Sequence, residues 1–401
     1  MMPEPLATLP RICGLAGRKI HISARRLGQV RYVRAAYDVP RATPHTRGVP
    51  SPDANRPVSG RRETLPAFAA KASEALCGGL DGHLDGTGVF VEGCLEAACD
   101  VEYWSEPERP AREEVLRRVK NKEGLVCLLT EKINEELLRN APKLRIAANV
   151  AVGFDNIDVA ACTKRGVVAT NTPGVLDETT ADFAWTLLMA VARRLGEGEQ
   201  LARSGNWKGW NLDQLCGADV WGKTLGIVGF GRIGRAVARR AQGFQMKVIY
   251  TDAIRAAEDV EKGVQAEYRD FNALLAESDF ISVHVPLLPE TRGLFDGPRF
   301  FRMKPTAYLI NTSRGQVVDE AALVAALEAK KIAGAALDVY ENEPFIHPGL
   351  KRSNVVLAPH LASASTETRT KMAVMAASNV VALFKGQRPA NMLNPDILKR
   401  A

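Results

Sequence analysis

The chain has 401 residues, 46% of them hydrophobic, which is enough for two packed domains and too long for one ordinary domain. No apolar run reaches membrane-spanning length, and seven scattered cysteines without a CxxC pair exclude a disulfide framework or zinc site and fit a reduced, cytoplasmic protein with no metal. The formal net charge of +7 invites a nucleic-acid reading; but residues 1–86 hold 13 basic and 7 acidic side chains, so the rest is nearly neutral and neither nucleic acid nor membrane is an expected partner.

Residues 1–86 are rich in Arg, Pro and Gly and show no sustained period of 2 or 3.6 before about residue 66. They read as a disordered extension or as sequence upstream of the true start. A cleavable Arg-rich targeting segment is the sharper alternative, and the acidic residues argue against it. From residue 87 the texture changes. GVFV (88–91), DVEYW (100–104), GLVCLLT (124–130), LRIAANVA (144–151) and GVVATN (166–171) read as strands, with helices at REEVLRRVK (112–120) and NEELLRNA (134–141). This alternation predicts a parallel sheet with helices on both faces. TTADFAWTLLMAVARRL (179–195) reads as a strong helix. GNWKGWNLDQLCGADVWGK (205–223) breaks the pattern, as a long loop or as an arm that packs on a second subunit. A second series starts at Thr224: TLGIVGF (224–230), KVIYTD (247–252), FISVHV (280–285), AYLINT (307–312), GAALDV (334–339) and VVLAP (355–359). A last helix around 366–385 is placed to return to the first unit.

The second series opens with VGFGRIG, which sets Gly229, Gly231 and Gly234 in G-x-G-x-x-G spacing between a strand and a helix. The first Gly allows the tight turn, the second lets backbone reach a pyrophosphate, and the third lets helix and strand pack closely. Asp252 ends the next strand, where an acid can bind a ribose 2′-OH and repel a 2′-phosphate. NAD is favoured; Arg255 nearby leaves NADP open.

In an open parallel sheet, ligands bind beyond the carboxyl ends of strands. Ser313 and Arg314 follow AYLINT, Asp338 ends GAALDV with Glu343 just beyond, and His360 follows VVLAP. Singly, each has a plain structural explanation. Together, an Arg, a carboxylate and a His on one edge suit carbonyl reduction. His284, also at a strand end, is the rival proton donor; His347 reads as a loop residue.

From residue 87 to 401 the chain resembles the D-isomer-specific 2-hydroxyacid dehydrogenases, most closely their glyoxylate and hydroxypyruvate reductase branch. Five ordered stretches carry the resemblance: NVAVGFDNIDV, NTPGVLDETTAD, GKTLGIVGFGRIGRAVARRAQGFQMKVIYTD, INTSRGQVVDE and ALDVYENEP…APHLASAS. The resemblance implies an α/β fold of two doubly wound parallel-sheet domains, a Rossmann NAD-binding domain inserted in a flavodoxin-like substrate domain. Residues 87–174 would begin the substrate domain and 175–361 would form the NAD-binding domain, with a dimerisation arm near 200–222. Residues 362–401 would return to the substrate domain. It implies catalytic roles for Arg314, Glu343 and His360, and a substrate-carboxylate loop at Val152 and Gly153. It implies cofactor contacts at Thr180, Pro286, Thr291, Thr312 and Asp338, beside Gly229, Gly231, Arg232, Ile233, Gly234, Asp252 and Ser313. A homodimer follows from the same resemblance, with Trp207 or Trp210 reaching a neighbour's site. The region after the expected first strand, GVFVEGCLEAACDVEYW, is shorter than the family's usual loop, and Ala362 stands where many members have Gly.

The chemistry agrees. Hydride added to C2 of a 2-oxo acid leaves negative charge on the ketone oxygen, and a protonated His beside a carboxylate suits its neutralisation. Arg314 supplies fixed charge and a planar fork. The implied function is reduction of glyoxylate or hydroxypyruvate to the D-2-hydroxy acid. The alternatives are a dehydrogenase for another D-2-hydroxy acid and an NADH-responsive interaction module like the C-terminal binding protein corepressors, which share the Arg-Glu-His set. Formate dehydrogenases carry Gln at the position of Glu343, which argues against that relative.

Overall fold

The computed structural model describes residues 19–22, 95–96, 98–104 and 108–399 of the chain. They form two parallel sheets. The first has five strands: β1 (Lys19–Ile22), β2 (Asp100–Tyr103), β3 (Gly124–Cys127), β4 (Ile146–Asn149) and β5 (Val168–Thr170). Their order, β2-β1-β3-β4-β5, is the flavodoxin-like winding. The helices between them are α1 (Arg112–Val119), α2 (Glu135–Asn140) and α3 (Val159–Lys164).

β1 corrects the sequence reading. Lys19–Ile22 lies within the segment taken as an extension, yet pairs with β2 on one side and β3 on the other. GVFV, the expected first strand, lies outside the described residues. A four-residue strand such as KIHI is shorter than the windows in which periodicity can be recognised, so its Arg- and Pro-rich surroundings hid it.

The second sheet has seven strands: β6 (Thr224–Val228), β7 (Lys247–Thr251), β8 (Ala266–Tyr268), β9 (Phe280–Val283), β10 (Tyr308–Asn311), β11 (Gly334–Leu337) and β12 (Val355–Leu357). Their order, β12-β11-β10-β9-β6-β7-β8, is the dinucleotide-binding winding with a seventh strand. The helices of this part are α4 (Asp177–Ala192), α5 (Leu195–Arg203), α6 (Arg232–Ala241), α7 (Glu258–Gly263), α8 (Phe271–Glu277), α9 (Gly297–Phe300) and α10 (Glu320–Glu328), and the chain closes with α11 (Thr366–Phe384).

Strand periodicity sends alternate side chains to opposite faces, and both faces of each sheet are covered. In the first sheet Val126, Ile146 and Val168 pack under Ala373, Ala377 and Val381 of α11. Leu125, Ala147 and Ala169 pack on the other face against Val115, Leu137 and Cys162. The C-terminal helix therefore returns to the first sheet. In the second sheet Leu225, Ile227 and Tyr250 meet Trp185 of α4 and Val237 of α6, while Ile249, Ile281 and Leu309 meet Leu274 of α8 and Leu323 of α10. α4 and α11 are the two crossings between the sheets. They touch through the Thr179 and Thr368 hydroxyls, 2.6 Å apart. Among the described residues no helix is long and apolar enough to cross a membrane.

Candidate active site

The carboxyl ends of the second sheet face a cleft of about 430 Å³, a volume suited to small ligands. Its opposite wall is the loop Ala151–Asp155 that follows β4, and Met372 of α11 also reaches it. Thr312, Ser313, Arg314 and His360 line it from the second sheet.

Each charged group is placed by a local device. After β10, the buried Asn311 side chain accepts from Ser313 N–H and Oγ, at 3.0 and 2.8 Å, and donates to Arg314 O at 3.0 Å. This fixes the turn that presents Arg314. Its Nε donates to Asp155 Oδ1 at 2.9 Å and its Nη1 to Ser313 O at 2.8 Å. Nη2 lies over Gly153, where a Cβ would stand 1.7 Å away. Gly315 then packs against the next loop: a Cβ there would lie 1.8 Å from the carbonyl carbon of Tyr340. Only a glycine permits that approach, which joins the Arg314 turn to the segment carrying Glu343.

His360 stands in the left-handed region, with φ 56°, a conformation uncommon for a non-glycine residue. Asp338 holds it there. The Asp338 carbonyl accepts from His360 N–H at 2.9 Å. Its fully buried carboxylate accepts from the N–H groups of Leu361 and Ala362 at 2.6 and 2.8 Å. Burial pushes the Asp338 carboxyl pKa upward, against those two N–H groups. His360 Nδ1 and Glu343 Oε2 are 2.9 Å apart, so Nε2 is left for a substrate. Glu343 Oε1 accepts from Tyr340 N–H at 3.1 Å. Burial opposes ionisation of Glu343. The His360 hydrogen bond and charge, with Tyr340 N–H and Arg314, outweigh it and hold this carboxyl below the usual range.

His284 lines the same cleft at the end of β9, with Nε2 2.8 Å from Ser282 Oγ. Burial pushes its pKa down to about 3. The ring is neutral near neutral pH and offers no imidazolium proton.

The Gly-rich turn fits a dinucleotide. Gly229 has φ 95°, and a Cβ there would meet the His284 carbonyl carbon at 2.7 Å. Gly231 opens α6 with nothing within 4 Å of a Cβ, leaving room for a phosphate. A Cβ on Gly234 would meet Gly229 O at 2.2 Å, so the third Gly serves helix–strand packing. Asp252 accepts from Phe230 N–H at 2.6 Å, which sets its carboxylate beside this turn. Thr312 Oγ1 is buried without a hydrogen-bond partner where Thr312 lines the cleft, a polar atom suited to a bound group.

A profile of the D-isomer specific 2-hydroxyacid dehydrogenase NAD binding domain matches residues 185–362. The glyoxylate reductase of Korarchaeum cryptofilum is 52% identical over 308 residues, covering 76% of this chain and 92% of that protein. The chain belongs to the D-isomer specific 2-hydroxyacid dehydrogenase family. It is an NAD(P)-dependent dehydrogenase of the glyoxylate reductase branch. Thermococcus litoralis has a glyoxylate reductase equally 52% identical, over 309 residues, 76% of this chain and 93% of that one. Among solved structures, the NADPH-dependent glyoxylate/hydroxypyruvate reductase of Sinorhizobium meliloti with NADP and malonate superposes with a TM-score of 0.68. It is 34% identical and covers 76% of this chain and 92% of that chain.

In this dehydrogenase the cleft brings together Val152, Gly153, Thr180, Ile233, Pro286, Thr312, Ser313, Arg314 and His360 of the expected site residues. Glu343 joins them through His360. Arg232 and Asp252 stand at the Gly-rich end, outside that lining. Two expected cofactor contacts are engaged elsewhere. Thr291 Oγ1 donates to Pro286 O at 2.6 Å and accepts from Leu288 N–H at 2.8 Å, bracing the loop after β9. Asp338 holds the His360 turn. Sequence reasoning missed Asp155, which clamps Arg314, and the buried Asn149 and Asn171. Asn149 ends β4 and Asn171 directly follows β5, both inside quoted motifs, the same positional signal that marked Arg314 and His360.

Proposed function

We propose that this dehydrogenase reduces glyoxylate or hydroxypyruvate to the D-2-hydroxy acid, with NADH as the preferred reductant. The observation that carries the reading is the His360–Glu343 pair at 2.9 Å, on the same cleft wall as Arg314 and at the nicotinamide end of a dinucleotide fold. The substrate carboxylate sits on the N–H groups of the Val152–Gly153 loop. Arg314 bridges that carboxylate and the ketone oxygen, where charge develops. When bound, the nicotinamide supplies the hydride that adds to C2. His360 Nε2 donates the proton to the ketone oxygen, and Glu343 orients the ring through Nδ1. Thr180, Ile233, Pro286 and Thr312 form the cofactor side, with Gly229, Gly231, Arg232, Gly234 and Asp252 around the phosphates and ribose and Asp338 behind the His360 turn.

Two features support NADH. Asp252 places negative charge where a 2′-phosphate would lie. Arg255, the nearby cation, is held by both oxygens of Glu261 at 2.8 and 2.9 Å, and Tyr250 OH donates to the same carboxylate at 2.6 Å. A panel of small 2-oxo acids assayed with NADH and NADPH tests the reading. The expected result is turnover of glyoxylate or hydroxypyruvate, with kcat/KM at least roughly tenfold higher for NADH, the scale of an unfavourable like-charge contact. Tight NADH binding with no turnover of any acid in the panel would instead favour the interaction-module alternative.

The segment after α5 carries Trp207, Trp210, Leu212 and Trp221 at 57–83% exposure. Apolar groups clustered this densely on a surface mark an association site. We propose that this arm packs on a second copy to form a homodimer. Trp210→Asp with Leu212→Asp is expected to shift sedimentation from dimer to monomer; an unchanged sedimentation coefficient would refute the arm's role.

A further inference from the structure

The loop after β4 has a feature that its apolar sequence, AVGF, does not announce: three successive carbonyls are each tied to a donor. Ala151 O accepts from Thr172 N–H at 2.9 Å. Val152 O accepts from Asn171 Nδ2 at 2.7 Å. Gly153 O accepts from Asn149 Nδ2 at 2.9 Å. In a planar trans peptide the N–H points opposite to the carbonyl of the same unit. Fixing the carbonyls of Ala151, Val152 and Gly153 therefore fixes the N–H groups of Val152, Gly153 and Phe154, turned away from those donors. None of these three N–H groups donates to an acceptor among the described residues. All three residues line the cleft. Successive N–H groups turned to one side form an anion-binding concavity.

The tethers are themselves buried and braced. Asn149 is fully buried, and its Nδ2 also reaches Asn156 Oδ1 at 3.1 Å. Asn156 in turn donates to Glu131 O at 2.9 Å, which locks the loop to the segment after β3. Asn171 is 8% exposed and its backbone N–H donates to Asn391 O at 3.3 Å. A hydrophobic residue at either position would leave a half-buried carbonyl without its donor and let its peptide plane rotate.

We infer that Asn171 and Asn149 are positioning residues for the substrate carboxylate, aiming the loop's N–H groups into the cleft through the carbonyls on the far side. The inference rests on the reading of the substrate as a small 2-oxo acid. It makes the loop a built anion site rather than an incidental turn, and it predicts which kinetic constant responds. Loss of a tether disorders N–H groups that meet the carboxylate in ground and transition state alike, so KM takes the larger share of the effect.

The experiment compares wild type with Asn171→Ala in three measurements. KM for the 2-oxo acid is expected to rise roughly tenfold with kcat changed much less, the scale of one net hydrogen bond. Calorimetric binding of oxamate to the NADH complex is expected to weaken by a similar factor, while NADH affinity by fluorescence stays at the wild-type value. Asn171→Ser, which keeps a hydroxyl donor, is expected to fall between the two and covers the case where the alanine variant does not fold. Equal oxamate affinity in wild type and variant, or parallel losses of NADH and oxamate binding, would overturn the inference and leave the reductase reading standing. A wild type that turns over no 2-oxo acid would overturn that reading, and oxamate binding would still decide the role of Asn171.

Discussion

Replacing His360 with glutamine is expected to cut turnover at least roughly a hundredfold while NADH binding stays near the wild-type value, the usual scale for loss of a general acid. Glutamine can keep a hydrogen bond to Glu343 but carries no proton of suitable acidity. The turn itself rests on Asp338, whose carbonyl and carboxylate accept from the backbone N–H groups of residues 360–362, so these bonds do not use the imidazole. The substitution thus separates chemistry from architecture. Single-turnover reduction followed by NADH absorbance, with fluorescence titration of NADH, checks both halves. Turnover within a few-fold of wild type would remove His360 from the mechanism, and since His284 is neutral near neutral pH a different donor would then be required. Glu343→Gln is the companion measurement. It removes the negative charge 2.9 Å from the ring, so turnover is expected to fall while NADH affinity stays at the wild-type value.

Much of this site can be read from strand ends alone. Every strand of the second sheet is parallel, so the residues just beyond AYLINT, GAALDV and VVLAP must share one edge. Arg314, Glu343 and His360 needed no further information to be grouped. The Gly-rich turn was equally legible, because Gly229 and Gly234 each answer a distinct close approach and Gly231 leaves open space at the helix start. What stayed hidden has a physical reason in each case. Lys19–Ile22 is too short for a period, and its partners in the sheet are remote in sequence. Asn149 and Asn171 look like ordinary residues at the ends of strands, since a side chain that ties a carbonyl leaves no composition signal. Asp155 lies 159 residues from Arg314, and nothing in the chain between them marks the pair. Asp338 was noticed for its position, but whether its carboxylate faces the cofactor or the backbone of the next loop is decided by packing.

Gly153→Ala is expected to lower kcat/KM at least roughly a hundredfold with little change in thermal midpoint. The backbone at Gly153 does not occupy the left-handed region, so alanine brings no conformational strain. Its methyl group, however, would lie 1.7 Å from Arg314 Nη2 and 2.7 Å from Cζ, separations no pair of heavy atoms sustains. The guanidinium is the end of a long side chain and yields more easily than the braced loop. It therefore leaves its bond to Asp155 Oδ1 and withdraws its charge from the ketone oxygen. Losing one preorganised donor at a developing oxyanion costs on the order of a hundred- to a thousandfold in rate. The methyl itself disturbs no buried apolar packing, which keeps the stability change within about 0.5 kcal/mol. A double-mutant cycle with Arg314→Gln decides whether the damage passes through the arginine. If it does, the double variant is no slower than Arg314→Gln alone, because the group that the methyl displaces is already gone. Losses that multiply instead would show that Gly153 acts independently of Arg314, and would separate the carboxylate loop from the arginine it now touches.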